Sequence, residues 1–559
     1  MLEQVFMEDK PFVTHAFNQG KLDYEEIVGA LNEREFFRDL MTNNVLERLA
    51  EDYPTPRKKE EVPLWLYLAS EISLRLHGAM GFGAYPYVLH CGGLVGALGP
   101  SQVRMKKDPH SGEPCLVMEG FNRKNHYART TPCDKDYLRK LAKDTDTQSL
   151  ENWFGMAVVQ EYKRLHAFDY DGIFLVDGSY IFVPLENKRY ENSSVLWFDG
   201  SGHPVSKGKY QKMSQKEKER CKKRRCYRMV TLSHTTKNKG YSLRCGTTVM
   251  SGRSAEVTKV WPLVDRFTKA VGEGVMKLLI FDRGLIDGVT ISRMKDRQVD
   301  SLFPLKVNMD VWKDAKAVEQ LDTSPWQRHV IATTTKSPAQ PDRPSVVSKR
   351  ESARQKTITQ KRKKKEDEDE SLPKRKLLWI EYKWIDESRV WEACSVPIYV
   401  LLIKNHYENE DVLEWALAST RRFSDPLEMW KLYKQRDQVE EDHRQEKQYW
   451  DLSSFRTTAF SMIVNRIIFV QLTHSLLQLF LRKTKHQELV GSSRQRLLDM
   501  LLPQQNNVVL YCGNKFAQYQ LLEFTLLVLR LPEGARRRLI GKVRQLRHAQ
   551  LAPPDLPLR

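Results

Sequence analysis

With 559 residues, 41% of them hydrophobic, the chain is long enough for three or four domains with substantial cores and too apolar for a wholly disordered protein. Lys plus Arg exceed Asp plus Glu by 90 − 71 = 19, which predicts a polyanionic partner bound in a salt-sensitive way without choosing among DNA, RNA and an anionic membrane. Eight cysteines fit a reducing compartment, and the first fifteen residues mix Glu, Asp and Lys with apolar positions, unlike a signal peptide.

In chain order, short helical patterns at 24–50 and 63–77 precede a Gly-rich apolar stretch, Gly78 to Pro100. The run Gly172-Ile-Phe-Leu-Val-Asp-Gly-Ser-Tyr-Ile-Phe-Val-Pro184 is rich in β-branched and aromatic residues and reads as a strand with Asp177 in its middle. A Lys-rich segment, Lys207 to Arg228, reads as a DNA-facing loop. Cys221, Cys226, His234 and Cys245 cluster loosely, but only the first two are close, so structural zinc is not expected. Asp282 follows the apolar part of Met276-Lys-Leu-Leu-Ile-Phe-Asp-Arg-Gly284, where the end of a buried strand presents an acid to a cleft. Each Asp also has a plain structural explanation, as a turn former or the start of a loop.

Strand-like runs recur at 301–307, 377–384 and 397–403. Between the first two, residues 325–376 hold few large apolar side chains, and Lys361-Arg-Lys-Lys-Lys365 is followed at once by Glu366-Asp-Glu-Asp-Glu370. This is expected to be a disordered, solvated insert. Further on, Tyr433, Arg436, Glu440 and Lys447 are spaced 3, 4 and 7 residues apart. On one helix they would fall within a sector of about 60°, a face holding one carboxylate, two cations and a phenol. Such a face suits a hard cation and phosphate oxygens; a solvated helix laced with i,i+4 ion pairs satisfies the same spacing. Ser461 to Leu481 is the most apolar segment, but Asn465, Arg466, Gln471, His474 and Gln478 interrupt it, so a buried helix is expected rather than a membrane span.

Three carboxylates from two strands and a helix are what two Mg²⁺ ions need to clamp the attacking and leaving oxygens of a phosphoryl transfer. Here the chain resembles the insertion-sequence transposases of the DDE type, in the subgroup whose last acid lies in a Tyr-x-x-Arg-x-x-x-Glu-x-x-x-x-x-x-Lys motif. Tyr433, Arg436, Glu440 and Lys447 match all four positions, and Asp177 in LVDGSY and Asp282 in IFDRG match the two Asp motifs. The resemblance spans about residues 165–480. It implies an α/β (α+β) fold, with an RNase H-like mixed-sheet catalytic core, a β-rich insertion before the last catalytic helix, and helical N- and C-terminal regions. The implied organisation is a mainly helical end-binding region at 1–150 and the first part of the core at 151–300. The insertion follows at 301–425 with its charged loop, then the catalytic helix and second part of the core at 426–481, and a basic helical region at 482–559.

The implied activity is binding of the element's ends, cleavage of phosphodiester bonds and joining of 3′ ends to target DNA. Asp177 would bridge two Mg²⁺ ions, Mn²⁺ being able to substitute, while Asp282 and Glu440 each complete one. Arg436, Lys447, Tyr433 and Arg283 would contact DNA. Double-stranded DNA, a homodimer on paired ends, no membrane and a cytoplasmic, nucleoid-associated prokaryotic location follow from the same resemblance. Trp312, Trp326, Trp379 and Trp384 stand as candidates for stacking on a flipped base or, alternatively, as core residues of the insertion. Two other functions use the same residues: a metal-dependent nuclease without strand transfer, and a non-catalytic DNA-binding protein.

Overall fold

The computed structural model describes residues 7–19, 24–28, 31–59, 62–78, 81–85, 103–107, 114–118, 135–236, 241–331, 377–448, 450, 452–453, 455–484, 490, 507–512 and 515–534. Two compact units form, one from Met1–Ile286, Asp296–Val299 and Lys434–Arg559, the other from Asp287–Lys295 and Asp300–Tyr433.

The first unit contains helix α1 (Leu64–Leu76), strands β1 (Ile173–Val183), β2 (Ser194–Phe198) and β3 (Pro204–Val205), and two short helices, α2 (Lys207–Lys212) and α3 (Gln215–Arg220). Strands β4 (Lys222–Thr235) and β5 (Ser242–Ser251), a 3₁₀ turn at Glu256–Lys259, helix α4 (Val260–Val271) and strand β6 (Leu278–Phe281) follow. Strand β6 runs parallel to β1, from Ile173↔Leu278 to Val176↔Phe281. On its other edge β1 pairs antiparallel with β4 along its whole length, from Ile173↔Thr235 to Val183↔Arg225. Strand β4 then pairs with β5 over Tyr227–Thr235 and with β2 over Lys222–Cys226. Residues 173–176 and all of β6 are buried, as expected of strands covered on both faces; hence their unbroken Ile/Leu/Val/Phe runs. This mixed sheet is the RNase H-like core that the resemblance implies.

In the second unit, β7 (Asp300–Pro304), α5 (Asp310–Leu321), β8 (Gln327–Val330), β9 (Leu377–Ser388), β10 (Ile398–Tyr407), β11 (Val412–Ser419) and α6 (Pro426–Tyr433) follow one another. Their sheet is antiparallel throughout, in the order β7-β11-β10-β9-β8. The four tryptophans pack within it: Trp379 stacks on His406 and Trp384 on Tyr399, Lys404 sits 3.9 Å over Trp326, and Trp312 is buried. The charged runs of the 325–376 insert lie outside the described residues.

The chain returns to the first unit as α7 (Arg436–Gln448) and α8 (Phe460–Lys483). Helix α8 is long and apolar enough to cross a membrane, yet 83% of its apolar window is buried inside the protein. Several of its polar residues meet partners there. Asn465 Nδ2 donates to Glu71 Oε1 of α1 at 2.8 Å, Gln471 bonds to Thr231 and Thr247, and Ser475 Oγ accepts from the Arg244 backbone N–H at 2.9 Å. Satisfied in this way, they lose little by burial.

The termini depart from a purely helical reading. Asn507–Cys512 and Lys515–Gln520 form an antiparallel pair, which Tyr24–Val28 extends as a third strand where a helical pattern was expected. Val508, Leu510, Ala517 and Tyr519 are buried at alternate positions, a period of two that fits strands and not helices. The Gly513-Asn514 step between the two runs is a hairpin signal in the sequence.

Candidate active site

Asp177 comes immediately after the last residue of β1 paired to β6, and Asp282 immediately after the end of β6. Continuing the parallel register by one step sets the two side by side. Strand β6 stops there, whereas β1 runs on to Val183 because β4 still pairs with it. Asp282 caps the 3₁₀ turn Arg283–Leu285, its backbone carbonyl accepting the Leu285 N–H at 3.0 Å, and both carboxylates are half-buried. Arg283 is exposed.

Helix α7 is held over this sheet by charge rather than by apolar side chains. Val439, Asp442, His443 and Glu446 are buried, at the i, i+3, i+4, i+7 spacing of one helix face. The completely buried Arg244 of β5 reaches Glu446 Oε1 at 2.7 Å and Asp442 Oδ2 at 3.5 Å, and donates to Ser233 Oγ at 2.7 Å. Burial pushes the Glu446 carboxyl up, but the Arg244 guanidinium and the His443 hydrogen bond hold it well below the usual range. One residue on, Lys447 Nζ lies 2.5 Å from Ser179 Oγ. Asp177 and Ser179 alternate on one face of β1, so the ammonium stands over the Asp177 face. Burial lowers its proton affinity, while Glu446 and Asp177 work the other way.

Glu440 and Arg436 face each other on the same helix, 2.5 Å apart, with Glu440 53% exposed and Arg436 18%. Seven residues separate Glu440 from Lys447, about 10 Å along the helix axis. Among the described residues no three His, Cys, Asp or Glu side chains are close enough together to hold one metal ion, so Glu440 does not close on the Asp pair. Tyr433 corrects one expectation: it does not share a helix with the other three motif residues. It ends α6, the chain turns at Lys434 and Gln435, and α7 begins at Arg436. The reason lies in what each helix buries. Helix α6 covers Leu427, Met429, Trp430 and Leu432 in the second unit, with Tyr433 against Trp415 at 5.8 Å, and α7 covers its polar face in the first.

The carboxylate that does approach the Asp pair is Glu256, in the turn ahead of α4. A methyl group on Gly178 would collide with Glu256 Oε2, and one on Gly284 would stand 3.2 Å from Oε1. Glycine beside each Asp thus leaves room for this side chain. Burial raises the Glu256 carboxyl, Arg228, with Nε 3.8 Å from Oε2, opposes the rise, and Asp177 and Asp282 add to it. Nothing in the linear pattern singles it out, since an acid ahead of an amphipathic helix is ordinary.

The oxygen donors of Asp177, Asp282 and Glu256 are the type that suits a hard divalent cation, and Glu440 is a further oxygen donor two turns from Lys447. The loose cysteine cluster disperses over the strands. His234 is occupied on both ring nitrogens, by Ile173 O at 3.2 Å and the Asp169 N–H at 3.1 Å, and burial lowers its pKa to about 4. Burial also pushes the Cys226 and Cys245 thiols up to about 11 and about 12.

A family model described as Transposase DDE domain matches residues 191–476, or 286 of the 559 residues. The match takes in Asp282, Glu440 and the whole of α7, and begins fourteen residues beyond Asp177. No curated protein matches the chain. The mixed sheet sets two Asp side by side on neighbouring strands and carries a charged helix over one of them, and the match covers half the chain: this protein belongs to the transposase DDE domain family.

Proposed function

We propose that this transposase cuts the ends of its own element and joins the 3′ ends to target DNA, with Asp177, Asp282 and Glu440 as its catalytic acids. The observation that carries the reading is the parallel register of β1 and β6, which brings two Asp 105 residues apart in sequence side by side on neighbouring strands. Asp177, Asp282 and Glu440 would hold two Mg²⁺ ions, replaceable by Mn²⁺, which would supply the charge that stabilises the attacking and leaving oxygens. Lys447, over the Asp177 face, and Arg436 grip phosphate oxygens, Tyr433 hydrogen-bonds one of them, and exposed Arg283 meets the DNA backbone. For Glu440 to reach the Asp pair it must leave Arg436, and its carboxylate, 53% exposed, is open to that exchange. DNA phosphates would draw Arg436 away at the same step.

Each chain carries one such set of acids while two ends need processing, so the working form is a homodimer on paired ends, acting in the prokaryotic nucleoid. The test is incubation of the purified protein with DNA carrying the flanks of its own gene, in Mg²⁺ or EDTA, with cutting and joining scored on a gel. Metal-dependent cutting and joining that vanish in Glu440→Ala support the reading. Cutting without joined products makes the protein a nuclease, and binding without cutting in Mg²⁺ or Mn²⁺ makes it a DNA-binding protein only.

A further inference from the structure

The segment Lys207–Arg228 carries eleven Lys or Arg against two Glu, a net +9 out of the chain's +19. Its structure is not a loop. Helices α2 and α3 occupy its first part and the outer end of β4 its second, with Lys222–Cys226 beyond the stretch paired with β5. Along that end every second residue shares a face, so Lys222, Arg224 and Arg228 point the same way, with buried Cys226 between them. Beneath them lies an aromatic floor. Phe198 packs edge-on against both Tyr180 and Phe182 with ring centroids 5.1 Å apart. The Arg224 guanidinium sits 4.7 Å over Phe182 and that of Arg228 4.5 Å over Tyr180. Laid on its ring, the exposed Arg224 cation is held in place while its outer N–H groups stay available, whereas Arg228 donates to Ser254 O at 3.2 Å. Lys222 and Arg224 are exposed, and so are Lys207, Lys209, Lys212, Lys216 and Arg220 on the flanking helices.

This row occupies the face of the sheet opposite Asp177. Arg228 pairs with Tyr180 and stands beside Glu256, whereas Asp177 pairs with Thr231, which points the other way.

We infer that the face of β4 displaying Lys222 and Arg224 is a track for the phosphate backbone of duplex DNA. The inference rests on the protein's acting on DNA and not on which acids cut it.

The test uses the full-length Lys222→Ala/Arg224→Ala protein, leaving Arg228 intact because it adjoins Glu256. Binding to a random-sequence duplex of about 30 base pairs is followed by anisotropy across a salt series. The slope of log K against log salt should become shallower by about 1.8, at about 0.9 for each phosphate no longer neutralised. Lys269→Ala/Lys313→Ala removes two side chains that are 60% and 64% exposed elsewhere and should leave the slope unchanged. The swap Lys222→Arg/Arg224→Lys should restore it. An unchanged slope in a protein with wild-type melting overturns the inference. So does an equal change of slope in the Lys269/Lys313 control. If the wild-type protein binds but never cuts, the salt series still decides whether DNA follows this face, and the failure belongs to the catalytic reading alone.

Discussion

Arg244 Nε lies 2.7 Å from Glu446 Oε1, and the two side chains are 0% and 1% exposed. This ion pair ties α7, among the most polar helices of the protein, to β5, and so sets where Lys447 and Glu440 stand. Removing the cation leaves Glu446 and Asp442 buried without compensation. Arg244→Met should therefore destabilise the protein by about 3–5 kcal/mol. The shift in urea midpoint measures it, and a destabilisation below about 1 kcal/mol would show that α7 is held by something else.

Glu151 offers a pH test. Its Oε1 accepts the Val249 N–H at 2.9 Å, and burial raises its carboxyl to about 7 against the pull of that bond and of Arg266. The folded state thus holds a proton that the unfolded state releases near about 4.3. The group's contribution is full below that value and is lost as pH rises through about 7, a difference of about 3 kcal/mol. Glu151→Gln keeps an acceptor for Val249 and removes the titration. Its denaturation midpoint should exceed that of the wild type at about pH 8 and converge with it near about pH 4.

Glu256 and Gly178 should behave as one unit. Glu256→Gln keeps the shape between the strand ends and deletes the charge, and is expected to weaken Mn²⁺ binding about 10–100-fold, as loss of a residue beside the metal ligands typically does. Mn²⁺ titration followed by electron paramagnetic resonance reads this without relying on DNA cleavage. In Gly178→Ala the new methyl meets the end of a flexible side chain, so Glu256 swings aside. The melting temperature should barely move while Mn²⁺ affinity falls as in Glu256→Gln. Unchanged affinity in both variants would remove Glu256 from the site.

Lys447 and Glu440 separate by environment. Lys447→Met replaces a buried ammonium near Asp177, and cleavage should drop about 10²–10³-fold, the usual effect of losing one charge-stabilising donor. Glu440→Gln breaks a pair whose carboxylate is 53% exposed, worth about 1 kcal/mol or less. Its melting should match the wild type while cleavage is lost. Thermal melts and single-turnover assays on the same preparations distinguish the two.

The strands around Asp177 and Asp282 were legible because burial on both faces demands uninterrupted β-branched and aromatic runs, and a lone acid stands out in such a run. The buried α8 was legible for a similar reason, its polar residues being too many for lipid. Spacing alone misled at Tyr433. A 3.6-residue period describes one helix, and the turn at Lys434–Gln435 arises because α6 and α7 bury their faces in different units. Glu256 and Arg244 were invisible for a further reason. One lies 79 residues from Asp177 and the other 202 from Glu446, and no local pattern encodes pairings closed by strand register and helix docking. Sequence by itself determined the chemistry available to this transposase, because residue types and their local periods are written in it. Which carboxylates meet, and which cations hold them, only the tertiary structure decided, because those energies depend on burial and distance between segments far apart along the chain.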